Sequence, residues 1–161
     1  MADESPFCRE WPELNDLRAD FEREERRRRE ERERERRLRA ERLDACRALL
    51  DETDAVHLLR LMNEYLLRGR GVVEQSEDQQ RESSAAARLR WNGPDRDDGL
   101  LTGEPLEIAI IATTTPDGQA LLSVVGDSTV ARGVRTQADL KPALIRAFRH
   151  PARQRPIRGA E

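Results

Sequence analysis

Four side chains in this sequence have the chemistry for nucleophilic or acid–base work: Cys8, Cys46, His57 and His150. A nucleophile must be held against a base that takes its proton. No spacing along the chain sets either histidine beside a cysteine or serine. His57 stands in an apolar helical run and reads as a partly buried structural residue. His150 falls at the expected end of a helix, where a cation is favourable against the helix dipole. Cys46 lies on an apolar stripe and behaves there as a small hydrophobe. Cys8 belongs to a segment that reads as a flexible lead. No catalytic residue is expected.

Metal ligation needs clustered donors, and neither Cys-x-x-Cys nor His-x3-His occurs. Asp95 to Gly99 has the acidic start of a calcium loop. Its fifth position is Gly99, and Leu106 stands where the bidentate glutamate belongs. No glycine-rich phosphate loop follows a strand and opens a helix. Gly126-Asp127-Ser128 reads as a hairpin turn. No metal and no cofactor are expected.

The cations carry a stronger signal. Phosphate binding needs clustered positive charge, and arginine supplies it well. Residues 18–42 hold twelve Arg, including the run Arg26 to Arg29, but also nine acids. That stretch reads as a self-neutralising helix. Residues 121–161 hold eight cations against three acids. Arg132, Arg135, Arg146, Arg149, Arg153, Arg155 and Arg158 are therefore the candidate contacts to a duplex RNA or DNA backbone. Phe148 is the one aromatic in that patch, and Trp91 stands far before it in the chain, so base stacking on single strands is not expected.

What must position these groups follows from composition. Hydrophobic residues make up 37% of the 161 and charged residues 38%, against about 45–50% and about 25% in ordinary globular chains. The apolar supply suits a small core with an extended charged element. Charge alternates along the chain: residues 1–17 and 44–87 are acidic, 18–42 and 121–161 basic, although the net charge is only −3. Lys141 is the single lysine. A coding strand rich in G and C, as in a phage, virus or high-GC bacterium, would produce that skew.

Two cysteines are too few for a disulfide scaffold. No run approaches the length of a membrane span, and the first residues lack the apolar core of a signal peptide. The expected setting is a reducing one, cytoplasmic, or nuclear in a eukaryotic host, where Arg26 to Arg29 would serve as a localisation signal.

Residues 1–13 read as a lead in which Phe7 and Trp11 clasp the helix that follows. Residues 14–71 read as helical, without Gly or Pro from Leu14 to Arg68. From Glu22 to Arg37 there is no apolar residue. Six Glu precede Arg by four positions there, at 22/26, 24/28, 25/29, 30/34, 33/37 and 35/39, which is the favourable orientation for such pairs. The segment resembles the single-α-helix type of Glu/Arg-rich sequence. That compositional likeness implies a solvated strut. Apolar residues return at Leu38. Leu43, Cys46 and Leu50, then Leu59, Met62 and Leu66, have 3–4 spacing and mark the expected self-association face. Thr53 is a candidate cap for a second helix, so one bent helix and a hairpin both fit.

Residues 72–104 read as a polar linker with a weak helix at 75–90. Residues 105–149 read as a ββ(β)α unit with a turn at Pro116-Asp117-Gly118 and a helix capped by Asp139. Residues 150–161 read as a basic disordered tail. The expectation is an α+β fold: a long charged N-terminal helix, then a small antiparallel sheet with one C-terminal helix. The expected role is a non-enzymatic, homo-oligomeric accessory or adaptor protein with a protein partner, no membrane insertion, and duplex nucleic-acid binding as the alternative. A peptide of residues 18–42 should give a helical circular dichroism spectrum that weakens in molar salt; a coil spectrum at low salt would contradict the strut.

Overall fold

The computed structural model describes residues 11–78, 83–93 and 103–154. Cys8, Phe7, Arg155, Arg158 and the Asp95–Gly99 loop lie outside them. The chain divides into two units, Met1–Leu38 and Arg39–Glu161. In order the elements are α1 (Glu13–Glu52), α2 (Ala55–Leu67), β1 (Val72–Asp78), β2 (Ser84–Asn92), β3 (Pro105–Thr114), β4 (Ala120–Val125), β5 (Thr129–Val134), α3 (Gln137–Arg149) and β6 (Ala152–Arg153). This is the expected α+β fold, with a larger sheet.

The first unit holds the charged part of α1. Its ion pairs are local: Arg18 to Glu22 at 2.9 Å, Arg27 and Arg28 to Glu24 at 2.6 and 3.0 Å, Arg29 to Glu25 at 3.8 Å, and Arg23 to Asp20. Glu24 sits below the usual carboxylate range because it accepts hydrogen bonds from Arg28 and then Arg27. All these groups are exposed, so they support helix content weakly and in a salt-dependent way.

In the second unit α1 and α2 are separate helices. The break is at Asp54, whose backbone is left-handed (φ 52°). Thr53 was the candidate cap, but it points inward instead. Its hydroxyl donates to the carbonyls of Leu49 and Leu50 at 2.8 and 3.3 Å, and it is buried. At the far end of α2, Arg68 and Gly69 take positive φ and Gly69 N–H donates to Asn63 O, as in a helix C-cap. Asn63 then clips the exit: its amide pairs with both backbone groups of Gly71, at 2.7 and 3.0 Å. A Cβ on Gly71 would stand 2.7 Å from Asn63 Oδ1 and 2.9 Å from the ends of the Leu67 and Leu89 side chains, so a larger residue there would have to displace the clip.

The sheet is an antiparallel meander in the order β1-β2-β3-β4-β5, with β6 pairing the start of β3. Residues read as a linker are therefore its first two strands. β2 pairs β3 over eight positions, from Ala85↔Ala112 to Asn92↔Pro105. Its pattern alternates Ala85, Ala87, Leu89 and Trp91 with Ala86, Arg88 and Arg90. Alanine is a poor strand former, and three in a row hid the period of two. The expected ββ(β)α unit is thus not autonomous. Nor is the tail wholly disordered, since Ala152 and Arg153 join the sheet and Gln154 N–H donates to Pro105 O at 2.9 Å.

One face of the sheet meets all three helices. Its core contains Leu43, Cys46, Leu49 and Leu50 of α1, Ala55, Leu58, Leu59 and Leu67 of α2, and Leu140, Ala143, Leu144 and Ala147 of α3, against Leu89, Ile108, Ile110, Leu122 and Val124. α3 starts at Thr136, whose hydroxyl oxygen accepts from Asp139 N–H at 3.2 Å. Asp139, expected as the cap, is the third helical residue and accepts from the Thr136 hydroxyl at 2.9 Å, so the two side chains are tied to each other at the helix start. α3 returns beneath the β4–β5 turn, where Asp127 N–H donates to His150 O at 2.7 Å. A Cβ on Gly126 would overlap that same His150 carbonyl and stand 3.1 Å from Ala147 O. Both neighbours are backbone, so neither yields cheaply. Gly126→Ala should destabilise the fold by about 1–3 kcal/mol in a denaturant titration; an unchanged midpoint would show that the turn and α3 are not tightly joined.

Candidate functional site

The predicted self-association face is largely inside the protein. Leu43, Cys46, Leu50 and Leu59 are buried in the core of their own chain, Met62 is half-buried against it, and Leu66 alone is exposed (53%). The reason is that β2 and β1 supply the covering surface that a polar linker would have lacked. Periodicity marks a face as apolar without saying what covers it.

The predicted cations are spread over several elements. Arg146 and Arg149 lie in the last turn of α3 and are exposed. Arg132 is exposed on β5. Arg135 follows that strand and donates to Gln119 Oε1 at 2.6 Å. Arg153 on β6 stands 3.6 Å from Glu104. Among the described residues, Arg132, Arg146 and Arg149 make no ion pair. Trp91, set apart from this patch in the sequence, stacks on Phe148 with ring centroids 4.9 Å apart. It is buried there and offers no platform to a base. His57, read as partly buried, is exposed on α2.

The second face of the sheet is the surface that sequence reasoning missed. Register places Glu74 and Ser76 of β1, Ala86, Arg88 and Arg90 of β2, Glu107, Ala109, Ile111 and Thr113 of β3, and Leu121, Ser123 and Val125 of β4 on it. Ile111, Leu121 and Val125 are half-buried. None of these apolar residues belongs to the helix-covered core. A signal was present: Ile108 to Ala112 are apolar at five successive positions, and Ala120 to Val125 at all but Ser123, which departs from the apolar–polar alternation of a strand with one solvated face.

One end of this face is charged and internally paired. Glu107 accepts from Arg90 Nε at 2.5 Å and Gln154 Nε2 at 2.7 Å, and lies 3.5 Å from Arg88. Arg90 also reaches Glu74 at 2.8 Å, and Arg88 donates to Ser76. The hydrogen bond to Glu107 holds Arg90 still further above its ordinary value. On the opposite side of the sheet Arg47 of α1 makes a two-pronged contact with Glu77 of β1 at 2.5 and 2.7 Å. That bond holds Glu77 below the usual carboxylate range.

Among the described residues no group of three His, Cys, Asp or Glu side chains could hold a metal, and no helix is long and apolar enough to cross a membrane. No family model, no curated protein and no solved structure matches this chain.

Cys46 is fully buried, and its thiol lies 3.6 Å from Ser83 O. Burial pushes its pKa up, since the thiolate cannot be solvated there. A raised folded value means that the fold loses stability as pH climbs past about 8.5, the ordinary thiol value. In a Cys8→Ser chain, a thiol reagent should label Cys46 only as fast as the protein opens. Rapid labelling of folded protein would mean that the α1–β2 contact is loose.

Proposed function

We propose that this chain is a non-enzymatic adaptor that self-associates through the second face of its sheet, a second copy being the occupant. The observation that carries this reading is that β3 and β4 place Ala109, Ile111, Leu121 and Val125 on the second face, beside Glu107, Thr113 and Ser123, while the helix-covered core takes only the first. An antiparallel sheet with a solvated face ordinarily alternates apolar with polar residues. Here Ala109, Ile111, Leu121 and Val125 stand where polar residues belong.

A second copy suits the face in charge. Its rim pairs two acids, Glu74 and Glu107, with two cations, Arg88 and Arg90, within one chain, and Asp78 of the same face stands at the outer end of β1. Like faces therefore meet with little net repulsion. A two-fold axis sets one patch against itself, which an internally paired rim tolerates. Five strands spaced about 4.8 Å apart and roughly six residues long give a footprint of about 20 by 20 Å. That is about 400 Å² per copy, the scale of a weak or transient contact and about half of what each partner buries in a standard interface.

A second reading keeps the duplex nucleic-acid backbone as a ligand. It is favoured by the exposed, unpaired Arg132, Arg146 and Arg149, which contrast with the Glu-paired arginines of α1. Arg155 and Arg158 would add to it.

Size exclusion with light scattering, with and without duplex RNA at low and high salt, separates the two. The wild type should exceed one chain in mass at both salts, and Ile111→Arg should lower that mass with the far-ultraviolet spectrum unchanged. An unchanged mass in a folded Ile111→Arg chain would refute the sheet-face reading. Duplex binding, if made, should weaken steeply with salt and fall in an Arg146→Glu, Arg149→Glu chain.

A further inference from the structure

The first turns of α1 carry apolar residues that nothing described covers. Leu14, Leu17 and Phe21 repeat at i, i+3 and i+7 on one face, and their exposures are 38%, 62% and 65%. Trp11, just before the helix, is 58% exposed. Beyond Phe21 the helix has no apolar residue until Leu38. The stripe is therefore a short, isolated set of anchors of the kind that lays a helix into an apolar groove. Its frame is acidic: residues 11–25 hold six acids against Arg18 and Arg23. Of those, Arg18 is engaged by Glu22 and Arg23 by Asp20. An acidic amphipathic helix is repelled by anionic lipid, whereas a basic protein surface attracts it.

The same chain presents a surface of that description. At the end of α2, Tyr65 is 83% and Leu66 53% exposed. Arg60, Arg68 and Arg70 lie within five positions of Tyr65 along the chain, with Glu64 as the one acid between His57 and Val72. Apolar patches of a few hundred Å² on a protein that is otherwise charged mark interaction sites. Here one patch is framed by acids and the other by arginines.

We propose that the Leu14–Leu17–Phe21 stripe of one copy docks on the Tyr65–Leu66 end of α2 in another copy. The contact joins two different patches, so it is head-to-tail and is independent of the two-fold sheet contact proposed above. A heterologous contact leaves one free patch of each kind on every dimer, and so propagates into rings or filaments. Acids against arginines set its register, and the apolar anchors supply the holding contact.

The test uses the full chain carrying Ile111→Arg, which removes the sheet-face contact. On this background the mass by light scattering should still exceed one chain. Phe21→Asp or Tyr65→Asp, added singly, should each give monomers with an unchanged helical spectrum. Leu66→Asp serves as a second variant of the α2 patch should Tyr65→Asp lose helix. Mixed one to one, the Phe21→Asp and Tyr65→Asp chains should form a species of twice the monomer mass and no larger. Each mixed partner then contributes the one patch the other lacks, and the doubled species should weaken in molar salt without dissociating fully, because only the charged frame is screened. If the Ile111→Arg chain is already monomeric, the head-to-tail contact is refuted while the sheet-face reading stands. If Ile111→Arg leaves the mass at the wild-type value and the mixture still doubles, the reverse holds. A mixture that stays at monomer mass overturns the proposal.

Discussion

The packing of helices onto strand β2 is the contact on which the second unit depends. β2 is bonded to β1 on one side and β3 on the other, and its inner residues Ala85, Ala87, Leu89 and Trp91 all lie in the core. The two alanines suit the close approach of α2 to the sheet, and Cys46 of α1 reaches the start of the strand. That closeness puts Cys46 Sγ 3.6 Å from the Ser83 carbonyl and leaves Cys46, Ala55 and Leu59 fully buried. At the other end of the strand the large Trp91 fills the wider gap and stacks on Phe148 of α3. Small and large side chains along one strand thus hold three helices at once. A chain with 37% hydrophobic residues can build a core this way because the backbone approach, more than the number of large side chains, excludes the water.

Charge plays a different part in each unit. On α1 the Glu–Arg contacts join exposed neighbours three or four residues apart, so each is weak and screened. What keeps residues 22–37 helical is chiefly that Glu and Arg are good helix formers. On the sheet the pairs cross between strands. Glu107, with its side chain only 18% exposed, gathers Arg88, Arg90 and Gln154 from two other elements. Removing Glu107 would leave Arg88 and Arg90 side by side on one face of β2 with less charge to oppose them, whereas removing any one α1 carboxylate leaves a side chain in water. The same pairing consumes Arg88 and Arg90 as ligand-binding groups and leaves the cations of α3 and β5 unspent.

The fold class and most boundaries were legible because they rest on local chemistry. The Gly- and Pro-free run, the Arg68–Gly71 exit, the Pro116–Gly118 turn and the β3 to α3 order each have a backbone cause readable in place. β1 and β2 were hidden because Ala85 to Ala87 carry little strand preference, and because β1 is polar on most of its length. Their burial is conferred by partners distant in the chain. The cap of α3 was read one turn position late, since Asp139 and Thr136 both have the chemistry and only geometry shows which residue precedes the helix. The association face failed for the reason already given: Leu43, Cys46, Leu50 and Leu59 are apolar at helical spacing whether a sheet or a second chain covers them. The Leu14, Leu17 and Phe21 spacing was equally visible, but its exposure was not.

Those exposures bear on what the molecule is for. A monomer gains nothing in stability from an exposed large apolar side chain, and it loses solubility. In a chain rich in apolar residues a few such positions are ordinary and carry no meaning. Here the apolar supply is short, and 38% of the residues are charged. Phe21 and Leu17 stand in a helix where almost every neighbour is Glu, Asp or Arg, and Tyr65 stands at the most exposed turn of α2. Replacing any of them with Glu, Lys or Arg would improve helix propensity and solubility without touching the core. Ile111, Leu121 and Val125 differ in degree: they are half-buried on the second face of the sheet, outside the helix-covered core. Folding alone explains none of these choices. The association proposed above would account for them by the same physics that buries Leu59 and Ile110 inside one chain.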